Sequence, residues 1–261
     1  PRLDPAAAVA AVDRKILARP RPSGDSMAVL VPVRDAAPDL EPFVEALARL
    51  DIDPRKTKLV FCEGDSADDT WPRLNAMLPA LRERFREVVL TQCAVNTKIS
   101  RANRSKARLQ RARRAGLARV RNHLVDIGVT DDIDWALWID VDVWKMPVDL
   151  VARLKETGAR IAVPHCVKHA NGRTFDRNTF VDTGRHPARY YYKHMKRGLF
   201  MPPPDCVGLL YPDALRHSDR VEVDGVGGTV LLVDANVHRA GVRFPELPYR
   251  DHIETEGFGL L

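Results

Sequence analysis

Short apolar runs rich in β-branched and aromatic residues alternate along the chain with longer segments of helical period, and this alternation narrows the possible folds most. Met27 to Val33 (MAVLVPV) is fully apolar, and Leu40, Phe43, Val44 and Leu47 follow at helical spacing after Pro38 and Asp39, a helix-start signal. Lys58 to Cys62 (KLVFC) predicts a second strand, which leads through the polar turn Glu63 to Thr70 into a helix from about Trp71 to Phe85. Val88 to Leu90 predicts a third strand. Leu117, Val120, Leu124 and Ile127 trace one apolar helix face ending at Gly128. Trp135 to Val143 is predicted as a central buried strand, followed by a helix (Leu150, Val151, Leu154) and a strand from Ile161 to Val167. The expected fold is α/β, a Rossmann-like, mostly parallel sheet flanked by helices.

No composition shift or repeat divides the chain. Residues 1–261 are therefore expected to form one domain, with an irregular insertion near 168–206 and a basic segment at 98–114. Hydrophobic residues at 45% and charged residues at 29% exclude wholesale disorder. No apolar run approaches the roughly 20 residues needed to cross a bilayer. The expected location is cytoplasmic or peripheral to a membrane, with allowance for an anchor or signal upstream of Pro1. Cys62, Cys93, Cys166 and Cys206 are scattered and are expected to be single buried thiols in a reducing compartment.

Asp140-Val141-Asp142 closes the predicted central strand. Residues two apart on a strand share a face, and ligands of parallel α/β sheets bind beyond the carboxyl ends of the strands. Both carboxylates are thus expected in a cleft, where a hard cation, Mn²⁺ or Mg²⁺, would offset their repulsion. The plainer alternative is a capping or salt-bridged acid pair at a strand end. The second strand ends in Glu63 and Asp65, placed to accept hydrogen bonds from a ribose or base, while Asp68 or Asp69 supplies the helix cap. The first strand ends in Pro32-Val33-Arg34-Asp35, where Arg34 could pair with a phosphate. Arg121 lies at the edge of the apolar face of the helix before the Asp-x-Asp strand, a place for a half-buried guanidinium directed at phosphate or carboxylate.

The net charge of +6 is concentrated between Lys98 and Arg121. Such a run binds nucleic acid non-specifically, but more commonly it is a solvated helix face or loop, and nucleic acid is not the expected partner. A loop attracting anionic lipid is a further reading, giving peripheral membrane association through this segment.

In order, these pieces are an apolar strand, Gly64-Asp65-Ser66-x-Asp68-Asp69-Thr70, Ala118-Arg119-x-Arg121-Asn122, and a strand ending in Asp-x-Asp. This order resembles glycosyltransferases of the GT-A type. Val223 to Gly228, Gly241 to Pro245 and His252 to Gly259 narrow the resemblance to the fungal Golgi α-mannosyltransferases that build the mannan backbone, and Phe175 to Phe180 resembles a further stretch of that family. The resemblance covers roughly residues 27 to 259. It implies a GDP-mannose donor, Mn²⁺, a glycan or glycolipid acceptor and retention at the anomeric carbon. It implies a metal site of Asp140, Asp142 and His252, with Pro32, Arg34, Glu63, Asp65, Arg121 and Asp140 on the nucleotide side. Asp224 and the following glycines would approach the donor sugar or acceptor, and Asp176 and Glu254 would lie on the acceptor side. Asp140, Asp142, Asp224, Asp176 and Glu254 are then the residues expected to carry the chemistry.

Overall fold

The computed structural model describes residues 13–16, 18–97, 99, 103 and 106–261. Four strands run parallel: β1 (Met27–Val33), β2 (Thr57–Glu63), β3 (Glu87–Gln92) and β4 (Trp135–Ile139). They are linked by helices α1 (Leu40–Leu47), α2 (Thr70–Arg84) and α3 (Ala107–Gly128). Helix α4 (Leu150–Glu156) leads to the two-residue β5 (Ile161–Ala162), and the sheet order is β3-β2-β1-β4-β10-β5. Strand β10 (Val230–Asp234) runs antiparallel to both of its neighbours, so the sheet is mixed but mostly parallel, as the apolar pattern predicts.

Every residue of β1, β2 and β4 except Pro32 is buried, and their side chains alternate between the two faces. Val29, Val31, Leu137 and Ile139 join Phe43 and Leu47 of α1 on one face. Ala28, Leu30, Ala136 and Trp138 join Val120 and Leu124 of α3 on the other. Asp140 continues the Trp138 parity, so the period of two directs it towards α3.

Two expected strands are shorter than the sequence implies. The chain leaves the sheet after Ile139, where Val143 N donates to Asp140 O at 3.1 Å and closes a turn that carries Asp142. The expected strand to Val167 ends at Ala162. The segment expected to be irregular carries β6 (Val181–Asp182), helix α5 (Ala188–His194) and the hairpin strands β7 (Met195–Lys196) and β8 (Leu199–Phe200). Strand β9 (Leu209–Leu210) pairs with β6. The basic run is the amino-terminal half of α3 from Ala107, while Lys98, Ser100, Arg101, Ala102, Arg104 and Ser105 lie outside the described residues. No described helix is long and apolar enough to cross a membrane.

After β10 come α6 (Ala235–Arg239) and α7 (Thr255–Gly259). His238 of α6 is buried among Trp138, Phe244 and Phe258, with ring centroids 5.5 to 6.0 Å away, and Nδ1 lies 3.1 Å from Val242 O. Burial pushes its pKa down from 6.5 to about 4. The folded chain keeps this imidazole neutral, so its contribution to stability is full above pH 6.5 and is lost as pH falls towards 4. At pH 4.5 the loss should reach about 2–3 kcal/mol. Urea midpoints should therefore drop more steeply between pH 7 and pH 4.5 for the unaltered chain than for His238→Phe; parallel slopes would contradict this.

Candidate active site

The carboxyl ends of the four parallel strands open into one cleft, lined by Pro32 to Ala36 after β1, Gly64 after β2, Val95, Thr97 and Ile99 after β3, and Asp140 to Asp142 after β4. Leu117 and Val120 of α3 complete the wall. Pro32 and Arg34 are thus at the cleft, as expected, but Arg34 is not left facing it freely. Its guanidinium donates to Thr97 Oγ1 and Thr97 O, both at 3.1 Å, and to Ile99 O at 3.3 Å, tying the loop after β3 to the end of β1.

Glu63 and Asp65, expected on the nucleotide side, bind the protein's own chain. Glu63 is 3% exposed, and its carboxylate accepts from Ser66 N at 2.6 Å and Gln92 Nε2 at 2.8 Å. Asp65 accepts from Val95 N at 2.9 Å and Asn96 N at 2.6 Å. The tight turn after β2 brings both carboxylates within reach of backbone donors, which hold the cleft wall in place.

Arg121 is 1% exposed and lies beneath the cleft, below the position expected for a nucleotide contact. Nε donates to Glu254 Oε1 at 2.7 Å, and Nη2 donates to Gly228 O at 3.2 Å and to Asp140 Oδ1 at 3.3 Å. Its guanidinium carbon lies 5.3 Å from the Trp138 ring centroid and 5.6 Å from that of Phe244. Burial opposes the charge, but Glu254 and Asp140 outweigh it and keep the guanidinium protonated. A Cβ on Gly228 would collide with this group, and one on Gly227 would collide with Asp176. The glycines expected to admit substrate therefore make room for Arg121 and Asp176.

Asp140 N donates to Thr229 O at 3.0 Å, and Thr229 N donates to Asp176 Oδ2 at 2.9 Å, so the residue just before β10 links the two acids. Burial pushes the Asp140 carboxyl up to about 7, with Asp142, Asp176 and Glu254 adding to the shift against the pull of Arg121. Asp142 is exposed in the cleft wall. Asp224 is exposed as well, and its carboxylate accepts from Asp182 N at 2.7 Å. Glu254 is 4% exposed and holds a positive φ of 60°, a conformation that a non-glycine residue keeps only when its surroundings fix it.

The structure groups His252 with Phe180, Phe200 and Glu256. Among the described residues, no three His, Cys, Asp or Glu side chains are grouped to hold an ion. Its ring is wedged between Phe180 and Phe200, centroids at 5.6 and 6.2 Å, and its backbone pairs with Tyr249. Nδ1 lies 3.5 Å from Glu256, which accepts from Arg114 Nη1 at 2.6 Å. The Arg114–Glu256 pair was not anticipated. Arg114 is seven residues before Arg121 and so on the same face of α3, a spacing that could have revealed it.

The acid pair after β4, Asp140 and Asp142, has the donor chemistry of a divalent cation site, short, among the described residues, of the three grouped side chains that would make one from the protein alone. Asp140 and Glu254 pair with the Arg121 guanidinium, Asp142 lies two residues beyond Asp140 on the cleft, and the Asp140 carboxyl is raised by burial first and by Asp142, Asp176 and Glu254 next. Oxygen donors of this kind suit Mg²⁺ or Mn²⁺.

A family model described as Anp1 matches residues 14–201 and 207–248. The mannan polymerase complex subunit mnn9 of Schizosaccharomyces pombe is 32% identical over 169 residues, covering 61% of this chain and 50% of its own. The mannan polymerase II complex ANP1 subunit of Saccharomyces cerevisiae is 26% identical over 260 residues, covering 91% of this chain and 51% of its own. The chain thus spans about half the length of these relatives. Among solved structures, S. aureus TarS superposes with a TM-score of 0.46 at 13% identity, over 89% of this chain and 53% of TarS. The mannosyltransferase PcManGT of Pyrobaculum calidifontis, in complex with GDP-Man and Mn2+, gives 0.42 at 16% identity, over 94% of this chain and 58% of its own.

Proposed function

The chain belongs to the Anp1 family, and from that membership we propose that it is a metal-dependent, retaining GT-A glycosyltransferase that moves mannose from GDP-mannose to a glycan or glycolipid acceptor. The observation that carries this reading is the acid pair at the end of β4, where Asp140 and Asp142 line the cleft and Arg121 reaches Asp140 from beneath. Relatives named as subunits of mannan polymerase complexes support the sugar, and they bring partner subunits into the proposal.

Asp140 and Asp142 would hold a divalent cation, with its remaining ligands drawn from the donor diphosphate. The bound ion would neutralise charge on the departing diphosphate, an effect worth several kcal/mol. Arg121 fixes the Asp140 carboxylate from below and holds Glu254 behind it. Arg34 and Asp65 brace Val95, Asn96, Thr97 and Ile99, which would form the nucleoside wall. Asp176, which accepts from Thr229 N, would lie on the side of sugar and acceptor.

Nucleotide-sugars should be screened for Mn²⁺-dependent stabilisation and hydrolysis. GDP-mannose at 100 times its Kd should raise stability by about 2.7 kcal/mol, and only with metal present. A UDP-sugar that outperforms every GDP-sugar would overturn the donor assignment. Equal stabilisation with and without metal would overturn the role of the acid pair.

A further inference from the structure

Two segments of this chain contain no acid: Val88 to Val125 and Thr183 to Pro204. Together they hold 15 of the 41 Lys and Arg residues and none of the 35 acids, so the rest of the chain is net negative. The fold brings the segments together. Strands β7 and β8 form a hairpin whose two loop residues, Arg197 and Gly198, both have positive φ, and the tip of this hairpin rests on α3. Arg111 Nη1 donates to Arg197 O at 3.0 Å, and Arg197 Nη1 donates to Arg108 O at 3.1 Å. Helix α5, just before the hairpin, has no buried residue. Tyr191 turns inward, stacked on Phe200 at 4.5 Å and donating to Asp251 at 2.6 Å, while Tyr192 is 74% exposed.

We propose that this face, made by the start of α3 and the α5–hairpin segment, docks on an anionic lipid bilayer beside the cleft. Arg108, Arg111, Arg189, Lys193, Lys196 and Arg197 are exposed on it without converging on a pocket, which suits a diffuse anionic surface. An exposed tyrosine among cations suits the headgroup level of a membrane. Single-stranded nucleic acid needs a row of exposed rings to stack its bases, and Tyr192 is one ring. Arg113, on the same stretch of α3, lines the cleft, so a docked surface would present lipid-borne acceptors at its mouth.

The test is co-sedimentation with vesicles of phosphatidylcholine alone and of phosphatidylcholine mixed with phosphatidylglycerol. The chain should bind only the mixed vesicles and be released by added salt. Arg189→Glu with Lys193→Glu should weaken binding at least about tenfold. Arg55→Glu with Arg82→Glu, the same charge change on exposed sites elsewhere, should leave it intact. Asp142→Asn should bind vesicles as the unaltered chain does, which separates docking from the donor-site reading. Equal binding to both vesicle types, no binding to the mixed ones, equal loss in both variant pairs, or capture of single-stranded RNA without vesicle binding would each overturn the proposal.

Discussion

Asp142→Asn is expected to lower the rate of metal-dependent donor cleavage about 10²–10³-fold, the scale seen when one preorganised electrostatic contact to a developing charge is removed. Asp142 is exposed at the cleft, so the same substitution should change stability by no more than about 0.5 kcal/mol. It also removes one of the charges that push the Asp140 carboxyl up, so the metal-free protein gains from reduced repulsion. The measurement pairs GDP release with thermal unfolding across a Mn²⁺ titration. Activity should collapse while the metal-free melt stays level, and added metal should no longer stabilise. Retained activity at saturating donor would remove the acid pair from the chemistry.

Arg121→Met is expected to act in the opposite way, through the fold first. It leaves Glu254, 4% exposed, without its partner, and breaking a buried pair by removing one member costs about 3–5 kcal/mol. Adding Glu254→Gln should recover much of that loss, because a neutral amide is not an uncompensated buried charge. Denaturant midpoints for the two single variants and the double variant form a cycle, and a coupling of at least about 2 kcal/mol is expected. Additive single effects would show that the 2.7 Å contact does not couple the two residues.

The contrast between these residues marks how far the sequence could be read. The strands and the Asp-x-Asp position were legible because β1, β2 and β4 are buried on both faces and so leave uninterrupted apolar runs. The convergence of Pro32, Arg34, Asp140 and Asp142 on one cleft follows from the parallel order alone. The partners of the charged side chains were not legible. Arg121 meets Glu254 across 133 positions, and no local period encodes that pairing. Glu63, Asp65 and Arg34 carry the residue types of a nucleotide site, but nearby backbone groups satisfy them first. His252 has a ligand's chemistry, and an aromatic slot between Phe180 and Phe200 holds it. The basic run could be counted from the sequence, but its companion segment, Thr183 to Pro204, is brought to it by the fold, through the hairpin resting on α3.

Strand β10 occupies the slot between β4 and β5 although it follows β5 by about seventy positions in the chain. During synthesis, Trp135–Ile139 is therefore made with one side of its ladder unpaired, and it stays so until Val230–Asp234 emerges. At the usual rate of roughly 5–20 residues per second, that interval lasts several seconds, with the apolar stretch WALWI as an open edge. The late antiparallel strand is thus the last of the six to be synthesised, and the ladder edge of β4 that it covers is open until it arrives.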